Sequence, residues 1–206
     1  MAKQSLTLAL LAGATALGLT SPAFAADAPE LMSGASARML SETCAGCHGT
    51  DGESGGPAIP TIAGMNGEYF IEMMKGYRED TTYGTVMNRI AKGYSEEEIS
   101  LMGTFFAGKK FQPAKQKPDE ALVKTGSKLH EKYCEKCHSE GGKILEDEEY
   151  YILAGQWTPY LKNAVSDFTE DRREIPKKMK KRLDALLKKE GDAGLEALFA
   201  YYAGEQ

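Results

Sequence analysis

All four cysteines of this 206-residue chain lie in two copies of the motif Cys-x-x-Cys-His, which is the attachment signature of c-type haem. Two thiols three residues apart lie on one helical turn, so each can add to a vinyl group of the porphyrin while the adjacent imidazole faces the iron. The motifs therefore predict two covalently bound haem c groups. The predicted attachment sites are Cys44, Cys47, Cys134 and Cys137, and the predicted proximal ligands are His48 and His138.

Paired cysteines have three other common uses. A zinc site would require the two motifs, 90 residues apart, to converge in space. A thioredoxin-like dithiol would require a strand-rich βαβ context, which the sequence pattern lacks. A structural disulfide is disfavoured because the haem motifs use every thiol in the chain.

A six-coordinate haem needs a second axial ligand, and in c-type electron carriers this ligand is usually methionine. After Cys134 the sequence contains a single methionine, Met179, which lies 41 residues beyond His138. The first half offers several methionines, of which Met87 lies at the corresponding place, 39 residues beyond His48. We therefore predict Met87 and Met179 as distal ligands. For each of them the alternative is a side chain buried in the core.

The two halves of the chain resemble each other beyond the haem motifs. The pattern Ala-Gly-x4-Tyr begins at Ala63 and again at Ala154, an offset of 91 residues, and it is expected to pack helices around the haem. The ending Phe-Phe-Ala-Gly at 105–108 matches Tyr-Tyr-Ala-Gly at 201–204 with an offset of 96, which places a small insertion after Phe168. We predict two tandem domains of about 90 residues each, at 26–108 and 121–206, joined by a linker at 109–120.

Helical patterns dominate both halves. Ser95 followed by Glu98 is a capping-box signature, and apolar residues recur behind it at helical spacing. Pro176 and Asp192 mark the beginnings of two further helices in the second half. Alternating strand-like runs are absent from the sequence, so we predict an all-α fold in which each domain wraps around one haem.

The first 25 residues read as a cleaved secretory signal. Lys3 precedes an apolar run at 6–19, and the small residues around Phe24 form a signal-peptidase site after Ala25. A permanent membrane anchor is disfavoured because the apolar run is shorter than the ~20 residues needed to span a bilayer. We therefore expect export to the periplasm. The net charge of −5 argues against a nucleic-acid partner.

Three remaining features have competing interpretations. His130 has no histidine at its repeat position and is expected to be structural or at the surface rather than a ligand. Trp157, the single tryptophan, is expected to anchor a core or an interface rather than to relay electrons. The segment 172–182 holds seven cationic residues. They form either a solvated helix face or a surface that steers a partner or the haem propionates.

Several longer motifs resemble the dihaem cytochrome subunit of flavocytochrome c sulfide dehydrogenase. They begin at Cys44 (Cys-Ala-Gly-Cys-His-Gly-Thr), Met87 (Met-Asn-Arg-Ile-Ala-Lys-Gly-Tyr-Ser), Tyr133 (Tyr-Cys-Glu-Lys-Cys-His), Ile152 (Ile-Leu-Ala-Gly-Gln-Trp-Thr-Pro-Tyr-Leu) and Gly191 (Gly-Asp-Ala-Gly-Leu-Glu-Ala-Leu-Phe). The resemblance covers most of the chain after residue 25 and implies two cytochrome c-like domains. It also implies a separate FAD-bearing subunit that oxidises sulfide and passes electrons singly to two haems. The implied ligand pairs are His48 with Met87 and His138 with Met179.

The chain itself contains no Gly-x-Gly-x-x-Gly motif and no strand–helix alternation that could hold FAD. We therefore expect an electron-transfer subunit that is not itself an enzyme, within a sulfide dehydrogenase heterodimer, passing electrons to a soluble acceptor. A free dihaem carrier is the main alternative, because the domain repeat alone supports it equally well. A dihaem peroxidase is disfavoured, since it needs an open iron position and both halves offer a methionine.

Overall fold

The computed structural model describes residues 34–143 and 151–205, and every regular element in these two ranges is a helix. This confirms the predicted all-α fold. The predicted signal sequence at 1–25 lies outside the described residues. Among the described helices, none is both long enough and apolar enough to cross a membrane.

The first half contains five helices and two short 3-10 turns. Ser95 caps the last helix: its hydroxyl accepts a hydrogen bond from the Glu98 N–H at 3.2 Å, and its own N–H donates to the Glu98 carboxylate at 2.8 Å. The predicted capping box is thus confirmed. The helices are α1 (Ala37–Glu42), α2 (Ala45–His48), α3 (Gly67–Arg78), α4 (Met87–Ile90) and α5 (Glu96–Ala107), and the 3-10 turns are Thr50–Gly52 and Ala91–Gly93.

The second half contains three longer helices, α6 (Glu120–Tyr133), α7 (Thr158–Thr169) and α8 (Lys177–Gly204), and one 3-10 turn (Glu140–Gly142). Helix α8 is broken at Gly191, whose φ of 64° and ψ of −162° belong to a region that only glycine adopts readily. It therefore consists of two helices, at 177–190 and 192–204. This confirms the two helices predicted to begin near Pro176 and Asp192.

Each half has its own apolar core. In the second half, α6 packs closely against α8 at Gly126, where a Cβ atom would lie only 1.9 Å from the carbonyl oxygen of Ala197. In the first half, α5 packs against both α1 and α3. The first core is built mainly from Leu40, Ile62, Met65, Phe70, Met74, Ile99, Met102 and Phe106, and the second from Leu129, Tyr133, Leu161, Leu186, Leu198, Phe199, Tyr201 and Tyr202.

The Ala-Gly repeat joins a loop to the last helix in the same way in both halves. The N–H of Gly64 donates to the Phe106 carbonyl at 2.8 Å, and the N–H of Gly155 donates to the Tyr202 carbonyl at 2.8 Å. Both glycines have a left-handed backbone, with φ of 71° and 72°. The two sequence repeats, at offsets of 91 and 96 residues, are therefore connected to each other by an equivalent backbone hydrogen bond in each half.

The predicted linker is hydrogen-bonded to the second half. Residues 109–119 are not helical, but the Ala114 N–H donates to the Gly155 carbonyl at 2.7 Å, and the Gln116 amide donates to the Gln156 carbonyl at 2.7 Å. The segment therefore lies against the second half.

Side chains also connect the two halves directly. Trp157 packs its indole against Gly56 and donates its ring N–H to the Ser54 carbonyl at 3.1 Å. The ring of Tyr151 lies between Tyr69 and Tyr160, at centroid distances of 5.7 and 5.6 Å. Trp157 is thus an interface anchor, as predicted. The tyrosines of the two Ala-Gly-x4-Tyr repeats, Tyr69 and Tyr160, both contact Tyr151 between the halves. Their packing around a haem stays a prediction.

Candidate functional site

The first Cys-x-x-Cys-His motif forms a single helical turn. The N–H groups of Cys47 and His48 donate to the carbonyl of Cys44 at 3.1 and 2.9 Å. Cys44 is half-buried and borders the first core, whereas Cys47 is exposed. One thiol therefore faces the interior and the other faces outward.

The imidazole of His48 is held in the orientation that metal coordination needs. Its Nδ1 lies 2.9 Å from the carbonyl oxygen of Pro60. A carbonyl can only accept, so Nδ1 carries the proton and the lone pair lies on Nε2. Burial lowers the pKa of His48, and the hydrogen bond to Pro60 offsets part of this effect. The ring is therefore neutral at pH 7 and can coordinate iron through Nε2.

The second motif repeats this turn. The N–H groups of Cys137 and His138 both donate to the carbonyl of Cys134 at 3.0 Å. Both thiols are half-buried, and burial raises the pKa of Cys134, while a hydrogen bond from Tyr202 acts in the opposite direction. The two motifs thus share the helical turn that brings two thiols and a histidine together.

The predicted distal ligands lie in the first turn of a helix in each half. Helices α3 and α7 each have 12 residues, and the next helix begins at Met87 in the first half and two residues before Met179 in the second. Both methionines are half-buried, whereas Met102 in the first core is fully buried. Met87 borders the first core, but Met179 is not among the residues packed against the second. The core alternative is therefore less suited to Met179 than to Met87, and both ligand roles remain a prediction.

Asn88, which the sequence analysis did not single out, fixes the loop that leads to Met87. Its amide group donates to the carbonyls of Tyr77 and Thr82 at 3.1 and 2.9 Å and lies 3.2 Å from the Asp80 carboxylate. The side chain therefore closes residues 77–88 into a compact turn. The only signal in the sequence is that Asn88 directly follows the candidate ligand Met87.

The donor set fits haem c and does not fit the alternatives. All four thiols are free, so no disulfide uses them. Within 34–143 and 151–205, no three His, Cys, Asp or Glu side chains converge as a metal site would require. A zinc site that joins the two motifs is therefore excluded for the described residues, whereas each motif alone has the thiol pair and imidazole that haem c takes.

His130 is structural, as predicted, but it lies in the interior. It is 2% exposed, and its two ring nitrogens lie 2.9 Å from the Tyr202 hydroxyl and 2.7 Å from the Glu135 carboxylate. Both nitrogens are therefore occupied, so a ligand role in this arrangement is excluded.

The basic segment 172–182 divides into two parts. Arg173 crosses to the first half, where it donates to the Tyr77 hydroxyl at 3.2 Å and the Tyr83 carbonyl at 3.1 Å. Burial raises the pKa of Tyr77 to about 12, with Arg173 opposing the rise. The lysines of α8, in contrast, lie on an exposed face, as the solvated-face interpretation expects. The segment thus brings Arg173 into the interface between the halves, and the guanidinium of Arg172 lies 5.7 Å from the centroid of the Tyr83 ring.

Comparison with known proteins adds three findings, although no family model matches the chain. Cytochrome c4 of Pseudomonas aeruginosa is 28% identical over 164 residues, which cover 76% of this chain and 79% of that protein. The cytochrome subunit of sulfide dehydrogenase of Chlorobaculum tepidum is 40% identical over 97 residues, which cover 47% of this chain and 86% of that protein. The crystal structure of reduced cytochrome c4 from Pseudomonas stutzeri superposes with a TM-score of 0.69 at 23% identity and covers 82% of this chain and 97% of that one.

Proposed function

The chain belongs to the family of dihaem c-type cytochromes that includes cytochrome c4 and the cytochrome subunit of sulfide dehydrogenase, and we propose that it is an electron-transfer subunit of the latter kind. It accepts electrons from an FAD-bearing partner subunit that oxidises sulfide and passes them to a soluble acceptor. The arrangement of His48 carries the electron-transfer part of this proposal. A half-buried, neutral imidazole aims Nε2 away from Pro60, beside two free thiols on one helical turn.

The residues have the following proposed roles. Cys44, Cys47, Cys134 and Cys137 attach two haem c groups through thioether bonds, and the axial pairs are His48 with Met87 and His138 with Met179. When bound, haem c supplies one-electron redox chemistry. The carbonyl of Pro60 fixes the tautomer of His48, and Asn88 holds the loop before Met87. Methionine sulfur favours reduced iron, so both haems are expected to have raised reduction potentials.

The likeness to the sulfide dehydrogenase subunit supports the sulfide-oxidising partner. Its identity of 40% is higher than the 28% found with cytochrome c4, although it extends over fewer residues. The chain lacks a dinucleotide-binding motif of its own, so the flavin is supplied by the partner, as is the sulfide chemistry. We also propose the domain boundaries 26–108 and 121–206, and export to the periplasm after cleavage at Ala25.

A free dihaem carrier is the second candidate. Cytochrome c4 supports it, because its similarity extends over three quarters of this chain and through both halves. The two functions differ in one observable property. The subunit forms a stable complex with a flavoprotein, and the free carrier does not.

The two candidates are separated by native purification from the organism that carries the gene. A tagged chain is isolated without detergent or high salt, and haem and flavin are measured on the same chromatographic peak, haem as the pyridine haemochrome. We expect two haems and one flavin per complex, and flavin reduction by sulfide followed by haem reduction.

The control is a tagged monohaem cytochrome purified identically from the same periplasm, which should carry no flavin. Two haems without flavin would favour the free carrier and contradict the partner assignment. One haem per chain would contradict the dihaem assignment itself.

A further inference from the structure

The first helix of α8, at residues 177–190, is strongly cationic in an acidic chain. It contains seven lysine and arginine residues and only two carboxylates, Asp184 and Glu190. These residues therefore carry a net charge of +5, and the rest of the chain carries −10, which together give the total of −5. Such a separation of charge produces a field that acts on charged partners at a distance.

The cations lie on the outer side of this helix. Leu186 is 1% exposed and belongs to the second core, and Leu187 packs against that core. Lys177, Lys181 and Lys188 lie on the opposite side, because one helical turn takes 3.6 residues. All seven cationic residues are exposed. The helix thus presents its charge to solvent over a length of about 17 Å.

Ion pairs compensate little of this charge. Lys180 pairs with Asp184 at 3.2 Å, and the carboxylate of Glu190 lies 3.3 Å from the ammonium group of Lys132 on helix α6. Within the part of the chain that the structure describes, no ion pair involves the six other cations of the helix. These six cations form what we call the basic surface of 177–190.

The cations of the basic surface also repel each other. Lys177 and Lys181, and likewise Lys178 and Arg182, are like charges four residues apart. Such pairs lie close together on a helix and destabilise it. The isolated protein therefore bears an electrostatic cost, which a bound anionic surface would relieve.

The basic surface lies beside the proposed site of the second haem. The same helix carries Met179, and burial raises the pKa of the Cys134 thiol while the charge of Arg182 is among the effects that oppose the rise. The first half differs here. The twelve residues that begin at Met179 carry a net charge of +3, whereas the twelve that begin at Met87 carry −1. The two halves thus share the haem motif but not this surface.

The composition of the basic surface indicates a transient protein partner. Permanent subunit interfaces are rich in apolar side chains, whereas brief electron-transfer encounters are small and depend on charge. The large apolar side chains that the described residues expose all belong to the first half, and they are Met39, Tyr83, Val86 and Ile90. The helix at 177–190 therefore lacks the apolar area of a permanent interface.

A lipid surface fits the basic surface less well. Amphipathic helices bind anionic membranes by burying their apolar side among the lipids. That side is occupied here, since Leu186 and Leu187 pack at the second core. Only the charged side is available, and it suits the acidic face of a protein.

We propose that the basic surface of 177–190 docks the acidic face of the soluble redox protein that accepts electrons from this chain, so that electrons leave through the second half. This inference rests on the proposed electron-transfer function and adds the chemistry of the acceptor. One electron passes from the reduced cytochrome to the oxidised metal centre of the acceptor, and no bond forms or breaks. Opposite charges accelerate such encounters by roughly 10 to 1,000 times at low salt.

The test is stopped-flow oxidation of the reduced, haem-loaded chain by two acceptor proteins of opposite charge. Plastocyanin, a copper protein, is the acidic acceptor, and mitochondrial cytochrome c is the basic one. Ionic strength is varied from about 10 mM to about 500 mM, where charges are screened within a few ångströms. The second-order rate constant with plastocyanin should fall about tenfold or more over this range. The rate constant with cytochrome c should stay level or rise.

Charge reversal locates the docking surface. The variant combines Lys177→Glu, Lys181→Glu and Lys188→Glu, which all lie on the outer side of the helix. At low ionic strength it should react with plastocyanin about tenfold or more slowly than the wild type, and its rate constant should no longer fall with salt.

The matched control reverses three exposed lysines of the linker, by Lys110→Glu, Lys115→Glu and Lys117→Glu. This control has the same net charge as the surface variant, so it separates the place of the charge from its amount. Its rate constant with plastocyanin should stay within about twofold of the wild type, because these lysines lie outside the basic surface.

The outcomes separate this proposal from the proposed function. Equal rate losses in the two variants, or a wild-type rate constant that does not fall with salt, would overturn the docking surface and leave two haem-bearing halves intact. A chain with fewer than two haems, or one that reduces neither acceptor, would contradict the proposed function itself. If the surface variant binds fewer haems than the wild type, the salt dependence of the wild type with the two acceptors decides.

Three further measurements would assign the basic surface to another occupant and overturn the proposal. One is loss of flavin from the surface variant during native purification, which would place the electron donor there. Another is binding of the wild type, but not of the surface variant, to phosphatidylglycerol vesicles while both react equally with plastocyanin. The third is a salt-sensitive dimer in sedimentation velocity that the charge reversal abolishes.

Discussion

The side-chain amide of Gln156 pairs with the backbone of Thr61 as a neighbouring strand would. Its Oε1 accepts the Thr61 N–H at 3.0 Å, and its Nε2 donates to the Thr61 carbonyl at 2.9 Å. Gln156 is fully buried, and the two residues belong to different halves of the chain. One side chain therefore satisfies two buried backbone groups across the domain interface, which makes the relative placement of the halves specific.

Replacing Gln156 by alanine should destabilise the protein strongly. Two buried backbone groups at Thr61 lose their partners, and each unsatisfied group costs about 1–3 kcal/mol, so the free energy of unfolding should fall by about 2–6 kcal/mol. Urea unfolding of the haem-loaded protein measures this change. The matched control is Gln112→Ala, an exposed glutamine, which should stay within about 0.5 kcal/mol of the wild type. Equal effects of the two substitutions would contradict the role of Gln156.

Adjacent arginines should differ in importance. Arg173 donates hydrogen bonds to Tyr77 and Tyr83 across the interface. Arg172 pairs with Asp167 and Glu170 of its own half, and its only contact across the interface is with the Tyr83 ring, 5.7 Å from the ring centroid, among the residues the structure describes. We expect Arg173→Gln to cost about 1.5–3 kcal/mol, because hydrogen bonds from a charged group are lost in a half-buried place. Arg172→Gln should cost less than about 1 kcal/mol, as is usual for surface ion pairs. The same urea titration compares them, and the reverse order would refute this assignment.

Each proposed distal ligand should be replaceable without loss of the fold. Met87→Leu and Met179→Leu preserve volume, so each should convert one of the two haems to a high-spin form while the other keeps its spectrum. Absorption spectra of the oxidised and reduced proteins report this change. The control is Met102→Leu, a fully buried methionine of the first core, whose spectrum should be that of the wild type. An unchanged spectrum in Met179→Leu would exclude that residue as a ligand.

The interface tyrosines should make the protein sensitive to alkali. Burial raises the pKa of Tyr77 to about 12, and it also raises the pKa values of Tyr69 and Tyr151. A tyrosine with a raised pKa contributes stability that is complete below pH 10, its unfolded value, and that is lost as pH rises toward the folded value. The free energy of unfolding should therefore be constant up to about pH 9.5 and decline above pH 10.

Tyr77→Phe provides the comparison for this prediction. Removing one titrating phenol should make the decline between pH 10 and pH 12 shallower by about 1.4 kcal/mol per pH unit. The measurement is the urea midpoint at half-unit intervals of pH. A decline of equal steepness in both proteins would show that Tyr77 is not among the responsible groups.

Local features of this molecule could be predicted from sequence because each depends on residues close together in the chain. The helical turns at Cys44 and Cys134, the capping box at Ser95 and the helix starts near Pro176 and Asp192 all follow from short-range rules. The internal repeat allowed a prediction beyond short-range rules, since the matching patterns indicated that Gly64 and Gly155 occupy equivalent positions in the two halves. The exact hydrogen bond, to the last helix of each half, needed the structure.

Contacts between the halves could not be predicted in this way. Gln156 and Thr61 are 95 residues apart, and Arg173 and Tyr77 are 96 apart, and neither pair belongs to a periodic or repeated pattern. The contacts of Tyr69 and Tyr160 with Tyr151 are also unpredictable from the Ala-Gly repeats, because a single repeat contains no information about its neighbour. For His130, the sequence indicated only that the equivalent residue of the first half, Leu40, is not a histidine. Its hydrogen-bond partner Tyr202 lies 72 residues away and could not be predicted.

Gly191 has a consequence for how this chain could change during evolution. By breaking α8, it uncouples the helix that bears Met179 from the helix that carries Tyr201 and Tyr202 into the second core. Residues can then be gained or lost in the outer helix without rotating the inner one out of register. The repeat offset grows from 91 to 96 residues in this region, after Phe168, while the hydrogen bond from the Ala-Gly repeat to the last helix is the same in both halves.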